Sequence, residues 1–174
     1  MSGPVRDERL DACRTCALPS RRRALGTISA AALAAMAGVA LRPGSAEALP
    51  VTAATGGEAG PGERSYPVPA ADGVTIDRDA QVILVRFQQK VYAFALACPH
   101  ENTALRWRDR DVRFQCPRHE SQYRPDGTFI QGRATRNMDR FAVRKDGGNV
   151  IVDTNRLYRS DQQNAEWASA SVPA

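Results

Sequence analysis

From Tyr66 onward, apolar and polar positions follow the short period of β-strands rather than that of helices. The stretch AQVILVRF (80–87) is β-branched and alternating. KVYAFALA (90–97) follows after Gln88-Gln89, which predicts a hairpin. VRFQ (112–115) and TFIQ (128–131) read as short strands, the second entered through the turn Arg124-Pro125-Asp126-Gly127. RFAVRK (140–145) and NVIVDT (149–154) flank Asp146-Gly147-Gly148, a second hairpin. No helical period and no internal repeat runs through the region. The pattern predicts an all-β domain, a small antiparallel sandwich or barrel, over residues 66–158.

The flanks read differently. Residues 49–65 are rich in Gly, Pro, Ala and Thr and lack a hydrophobic period, as expected of a flexible linker. Residues 159–174 form a polar tail, either loose or docked on a partner. Within residues 1–48, SRRRALG precedes the mildly apolar run ALGTISAAALAAMAGVAL (24–41) and the small-residue site Ala46-Glu47-Ala48. That order resembles a twin-arginine export signal, cleaved or kept as a membrane anchor. It places the body of the protein in the periplasm, soluble or tethered to the outer face of the cytoplasmic membrane. Cys13-x-x-Cys16 lies ahead of this signal and would be lost on cleavage.

Charge alters the picture little. The net charge is +5 over 174 residues, but residues 1–48 hold seven arginines against four acids. Residues 49–174 hold seventeen basic and fifteen acidic side chains, so the domain gives no sign of a nucleic-acid partner.

The chemistry is concentrated between residues 98 and 119, CPHENTALRWRDRDVRFQCPRH. The chain has two histidines, His100 and His119, and both lie here with Cys98 and Cys116. Each of two loops, CPH and CPRH, supplies one thiol and one imidazole behind a proline. Two metal sites accept two sulfurs and two nitrogens: tetrahedral zinc, or a [2Fe–2S] centre with two Cys on one iron and two His on the other. Zinc fingers usually pair Cys with Cys, whereas these loops mix the two types.

The spacing C-x-H…C-x-x-H resembles the Rieske family over roughly residues 66–155. Gly132-Arg133-Ala134-Thr135 stands where that family carries a third loop near the cluster. The resemblance implies a Rieske-type fold with a two-loop cluster-binding subdomain and one [2Fe–2S] cluster on Cys98, His100, Cys116 and His119. It also implies two hydrogen-bond donors to the sulfurs, Ser121 and Tyr123, of the kind that raise the potential in respiratory Rieske proteins. Reduction of such a centre takes up a proton, which implies a potential that falls in alkaline solution.

Some positions depart from the respiratory pattern. Thr103 and Arg118 occupy the places of the cysteines that form a disulfide in quinol-oxidising Rieske proteins. Glu101 replaces an apolar residue at the quinone-docking tip. A Rieske subunit without the disulfide resembles the small subunit of arsenite oxidase. The partner implied is therefore a molybdenum oxidoreductase subunit or a cytochrome. A membrane-anchored Rieske subunit of a quinol–cytochrome c oxidoreductase is the next reading, and a structural zinc protein the third.

No further histidine remains for a mononuclear iron or for His-based catalysis, and no phosphate-binding glycine loop occurs in the domain. The chain alone reads as an electron carrier without a catalytic site of its own. The charge run RWRDRDVR (106–113) is expected to be a solvated hairpin, with Trp107 as a packing residue.

Overall fold

The computed structural model describes residues 48–174. The sequence features assigned to the export signal, together with Cys13 and Cys16, lie outside the described residues except for Ala48. Among the described residues, no helix is long and apolar enough to cross a membrane.

The strands are β1 (Val51–Ala53), β2 (Gly57–Gly60), β3 (Glu63–Pro67), β4 (Gly73–Asp77), β5 (Val82–Phe87) and β6 (Lys90–Ala95). They continue with β7 (Arg106–Arg108), β8 (Arg113–Gln115), β9 (Gln122–Tyr123), β10 (Phe129–Gln131), β11 (Arg140–Asp146), β12 (Asn149–Tyr158) and β13 (Val172–Pro173). A larger sheet runs in the order β1-β4-β5-β6-β11-β12-β3-β2, with β13 also on β6. A smaller sheet, β10-β9-β8-β7, is inserted between β6 and β11 of the chain. Among the described residues, the one parallel pair joins β1 to β4.

The hairpin β5–β6 is the spine of the molecule. Val82, Ile83, Leu84 and Val85 are all buried, because both faces of this part of the sheet are covered. Ile83, Val85, Tyr92 and Phe94 point to the side that packs against Leu105, Phe114 and Tyr123 of the inserted sheet and its loops. Val82, Leu84, Val91 and Ala93 face Tyr66, Phe141, Val150 and Val152 on the other side. The turn at Gln88 and Gln89 has φ of 50° and 61°, the left-handed conformation of a two-residue hairpin whose twist matches its strands.

Two segments differ from the sequence expectation. Residues 49–65 hold β1, β2 and most of β3 instead of a structureless linker. β1 and β2 lie on sheet edges with nearly every residue exposed, so no alternation marks them in the sequence. Residues 159–174 form helix α1 (Asn164–Ser169) and then β13, which pairs with β6. Trp167 anchors α1: its indole donates to the Met138 carbonyl at 2.7 Å. The buried Arg140 guanidinium lies 3.7 Å from the Trp167 ring centre and donates to the Trp167 and Asp126 carbonyls, each at 2.7 Å. The tail thus packs on its own domain.

Candidate metal centre

The two Cys/His loops have the same backbone plan. In the first, which joins β6 to β7, the Cys98 amide donates to the Thr103 carbonyl and the Asn102 amide to the Cys98 carbonyl, at 2.8 and 2.9 Å. In the second, after β8, the Cys116 amide donates to the Ser121 carbonyl and the Glu120 amide to the Cys116 carbonyl, at 2.8 and 3.0 Å. The fourth residue after each cysteine turns left-handed, Asn102 at φ 52° and Glu120 at φ 56°. Neither residue was singled out from the sequence as a turn former. The signal available was Asn102, since Asn tolerates that conformation better than most side chains.

The loops face each other. The His100 and His119 rings are 5.0 Å apart between centres and nearly perpendicular. Cys98 and Cys116 are 0% and 1% exposed and form no disulfide. The histidine side chains keep 26% and 22% of their surface in solvent. The site therefore has a dry thiol floor and a wet imidazole rim. The Nδ1 atoms of both histidines are buried and have no hydrogen-bond partner. Buried polar atoms are rarely left so, and two converging imidazole nitrogens are what an imidazole-bound metal requires.

Burial pushes the Cys98 thiol pKa up, and the neighbouring Cys116 adds to this, against the His100 amide and the Tyr123 hydroxyl. A cation that binds thiolate reverses that balance and releases the protons. The donor set of two thiols and two imidazoles thus fits a Rieske [2Fe–2S] cluster, and it also fits zinc.

Tyr123, on β9, is fully buried, and its hydroxyl lies 3.6 Å from Cys98 Sγ. Burial and the cysteine raise its pKa well above the ordinary phenol range, so the hydroxyl keeps its proton. Ser121 Oγ accepts the Ala134 amide at 3.0 Å, which leaves the Ser121 proton free to be donated. Gly132 stands at φ 117° with its Cα against the Ser121 backbone, where a Cβ would collide. The third loop therefore acts on the site through Ser121.

Glu101 is the residue whose role the sequence underrated. Its carboxylate sits 3.9 Å from His100 Nδ1 and 3.7 Å from His119 Nδ1, and pairs with Arg118 Nε at 3.1 Å. One donor atom each from His100, Glu101 and His119 lies within 4.8 Å of the others. Glu101 already has a cationic partner and a half-exposed position, whereas the two thiols are buried. The sulfur–nitrogen set is the better satisfied by a metal. Trp107 stacks edge-on to Phe114 at 4.8 Å and donates to the Leu49 carbonyl, which gives it a packing role.

Residues 64–144 match the family model of the Rieske [2Fe-2S] domain. The chloroplastic cytochrome b6-f complex iron-sulfur subunit of Bigelowiella natans is 33% identical over 61 residues, 35% of this chain and 24% of that protein. The corresponding subunit of Synechococcus sp. (strain JA-3-3Ab) is 34% identical over 59 residues, 34% of each chain. The match thus spans only about a quarter to a third of these relatives, 24% and 34%. The crystal structure of the cyanobacterial plasma membrane Rieske protein PetC3 from Synechocystis PCC 6803 superimposes with a TM-score of 0.38 and 22% identity. It covers 52% of this chain and 85% of that one. The family match takes in both loops, the strands that carry them and the hairpin behind them: this chain carries a Rieske [2Fe–2S] domain, with a [2Fe–2S] cluster as its cofactor.

Proposed function

We propose that the protein is a one-electron carrier in a membrane-associated redox complex, working outside the cytoplasm. Cys98 and Cys116 would hold one iron of the cluster through their sulfurs, and His100 and His119 the other through Nδ1. The observation that carries this reading is the pair of matched loops, each with a buried cysteine free of any disulfide and a histidine whose buried Nδ1 has no hydrogen-bond partner. When bound, the cluster supplies reversible one-electron storage. The chain supplies the rest. Buried sulfur ligands exclude water, and the solvent-exposed edges of His100 and His119 offer the route to a partner. Tyr123 and Ser121 present protons towards the sulfur side. Donors of this kind favour the more negative, reduced state and raise the potential.

Export through the twin-arginine-like segment supports a periplasmic position, with the segment cleaved or kept as an anchor. Supply of electrons to or from a cytochrome or a molybdenum subunit fits a polar tip bearing Glu101 and Arg118. A second reading has support from the relatives, which are named as subunits of the cytochrome b6-f complex. In it the protein is the anchored Rieske subunit of a quinol-oxidising complex. The charged tip opposes it, because an apolar quinone ring gains nothing from displacing water around Glu101.

The test is a redox titration of the purified full chain with electron paramagnetic resonance. A Rieske signal with a midpoint in the upper part of the roughly −150 to +300 mV range supports the respiratory-type assignment. A signal at the low end removes the roles given to Ser121 and Tyr123. Zinc without any signal removes electron transfer. Mass analysis of the mature N-terminus separates the cleaved from the anchored form.

A further inference from the structure

The cluster-binding insertion has a charge of its own. Residues 98–136 hold eight arginines, no lysine and five acids, a net +3, whereas the rest of residues 49–174 holds nine bases and ten acids, a net −1. Three of the eight arginines have acidic partners: Arg113 with Asp111, Arg118 with Glu101, and Arg136 with Asp139. Among the described residues, Arg106, Arg108, Arg110, Arg124 and Arg133 form no ion pair.

Arg106 and Arg108 are two apart on β7 and therefore share one face of the strand. With Gln115, Pro117, Glu120 and the ligand-loop residue Cys116 they line an open cavity of about 250 Å³. Glu120 is the single acid there. The cavity runs from the charged hairpin to the second ligand loop, on the flank of the imidazole rim. Arginine loses little hydration on docking and makes forked contacts to carboxylates, so it suits an interface better than lysine.

We propose that the Arg106–Arg108 flank is the docking surface for an acidic face of the redox partner protein, orienting it over His100 and His119. The inference rests on the reading of those histidines as the electron exit. Charge complementarity of this kind steers encounter and weakens with salt.

The test uses the reduced, cluster-loaded full chain in stopped flow. Ferricyanide, a trianion, takes one electron from the reduced cluster and becomes ferrocyanide. Its rate is expected to fall as ionic strength rises, while tris(1,10-phenanthroline)cobalt(III), a trication of comparable oxidising strength that also takes one electron, shows no such fall. R106E/R108E is expected to slow ferricyanide at low salt by at least about fivefold and to flatten its salt dependence. R106Q/R108Q shows a smaller change of the same sign. R144E/K145E on β11 makes the same change in net charge and leaves the salt dependence in place. Poly-L-glutamate, an acidic polypeptide, slows ferricyanide oxidation of the wild-type chain and not of R106E/R108E. Equal effects of the two double charge reversals, or a wild-type ferricyanide rate that rises with salt, would overturn the proposal. So would a ferricyanide effect without poly-glutamate protection, which would mark a small-anion site. A wild-type protein without a Rieske signal overturns the electron-carrier reading instead, before any kinetics are run.

Discussion

Glu101 and Arg118 meet at 3.1 Å across the two ligand loops, close to both imidazoles. The pair spans the two loops at the imidazole rim. It places a carboxylate within 4 Å of the Nδ1 atoms of both histidines, at 3.9 and 3.7 Å. A negative charge there disfavours the extra electron. Glu101→Gln is expected to raise the midpoint potential and Arg118→Ala to lower it, each by up to about 40 mV, since a unit charge about 4 Å away in water-like surroundings is worth about 1 kcal/mol. Potentiometric titration of the two variants checks the opposite signs. The pair is exposed, so the same substitutions change global stability by less than about 1 kcal/mol.

Hydrogen bonds to the sulfurs raise the potential of a Rieske centre, and Ser121 and Tyr123 are the proposed donors. Ser121→Ala and Tyr123→Phe are each expected to lower the midpoint while leaving the Rieske signal. An unchanged midpoint in both would remove the donor roles. Gly132→Ala has a different expected result. The added Cβ collides with the Ser121 backbone at a φ of 117° that alanine resists. That variant should lose cluster occupancy, read as iron and sulfide per chain, rather than shift the potential.

Asp77 makes stability depend on acid. It is 2% exposed and accepts the Gly56 amide at 2.8 Å, the Tyr66 hydroxyl at 2.9 Å, and the Asp79 and Ala80 amides at 3.0 and 2.9 Å. Burial by itself raises its pKa, but these donors outweigh burial and hold it below the ordinary value. The stabilisation is therefore present above the pKa of the unfolded chain, near 4, and is lost as pH falls through the lower folded value. Asp77→Asn is expected to cost about 2–3 kcal/mol at neutral pH, because one carbonyl oxygen cannot serve four donors. Urea unfolding from neutral pH down to about pH 3 should show a smaller acid dependence in the variant than in the wild type.

Arg140 tests the docking of the chain end. It is 4% exposed, and burial lowers its pKa. Its charge is met by two carbonyls and by the faces of Trp167, Tyr92 and Phe94 at 3.7, 4.7 and 5.7 Å. Trp167→Ala is expected to cost about 3 kcal/mol and to expose residues 164–174 to proteolysis. Arg140→Lys should cost about half as much, since one ammonium reaches the two carbonyls less well than a fork. Equal protease resistance of wild type and Trp167→Ala would remove the anchor role.

Much of the site could be read from residue types and spacing. Cys98, His100, Cys116 and His119 announce themselves because each belongs to a short loop whose Cys and His are local in sequence. The alternation in β5, β6, β11 and β12 follows from long strands that bury whole faces. β1 and β2 escaped notice because edge strands with exposed side chains leave no periodic trace. Helix α1 escaped because six residues with a single buried side chain, Trp167, cannot build an amphipathic pattern.

The amino-acid order by itself determined the pairing of one Cys with one His in each of two matched loops and the β architecture, since these depend on side-chain chemistry and on period within a few residues. The tertiary structure alone decided what lies far apart in sequence. It brought the loops face to face, left the Nδ1 atoms without partners and set Glu101 against Arg118. It pressed Gly132 onto Ser121 and laid Trp167 on Arg140. Each of these contacts joins residues more than ten positions apart, so it depends on tertiary packing and not on any local preference.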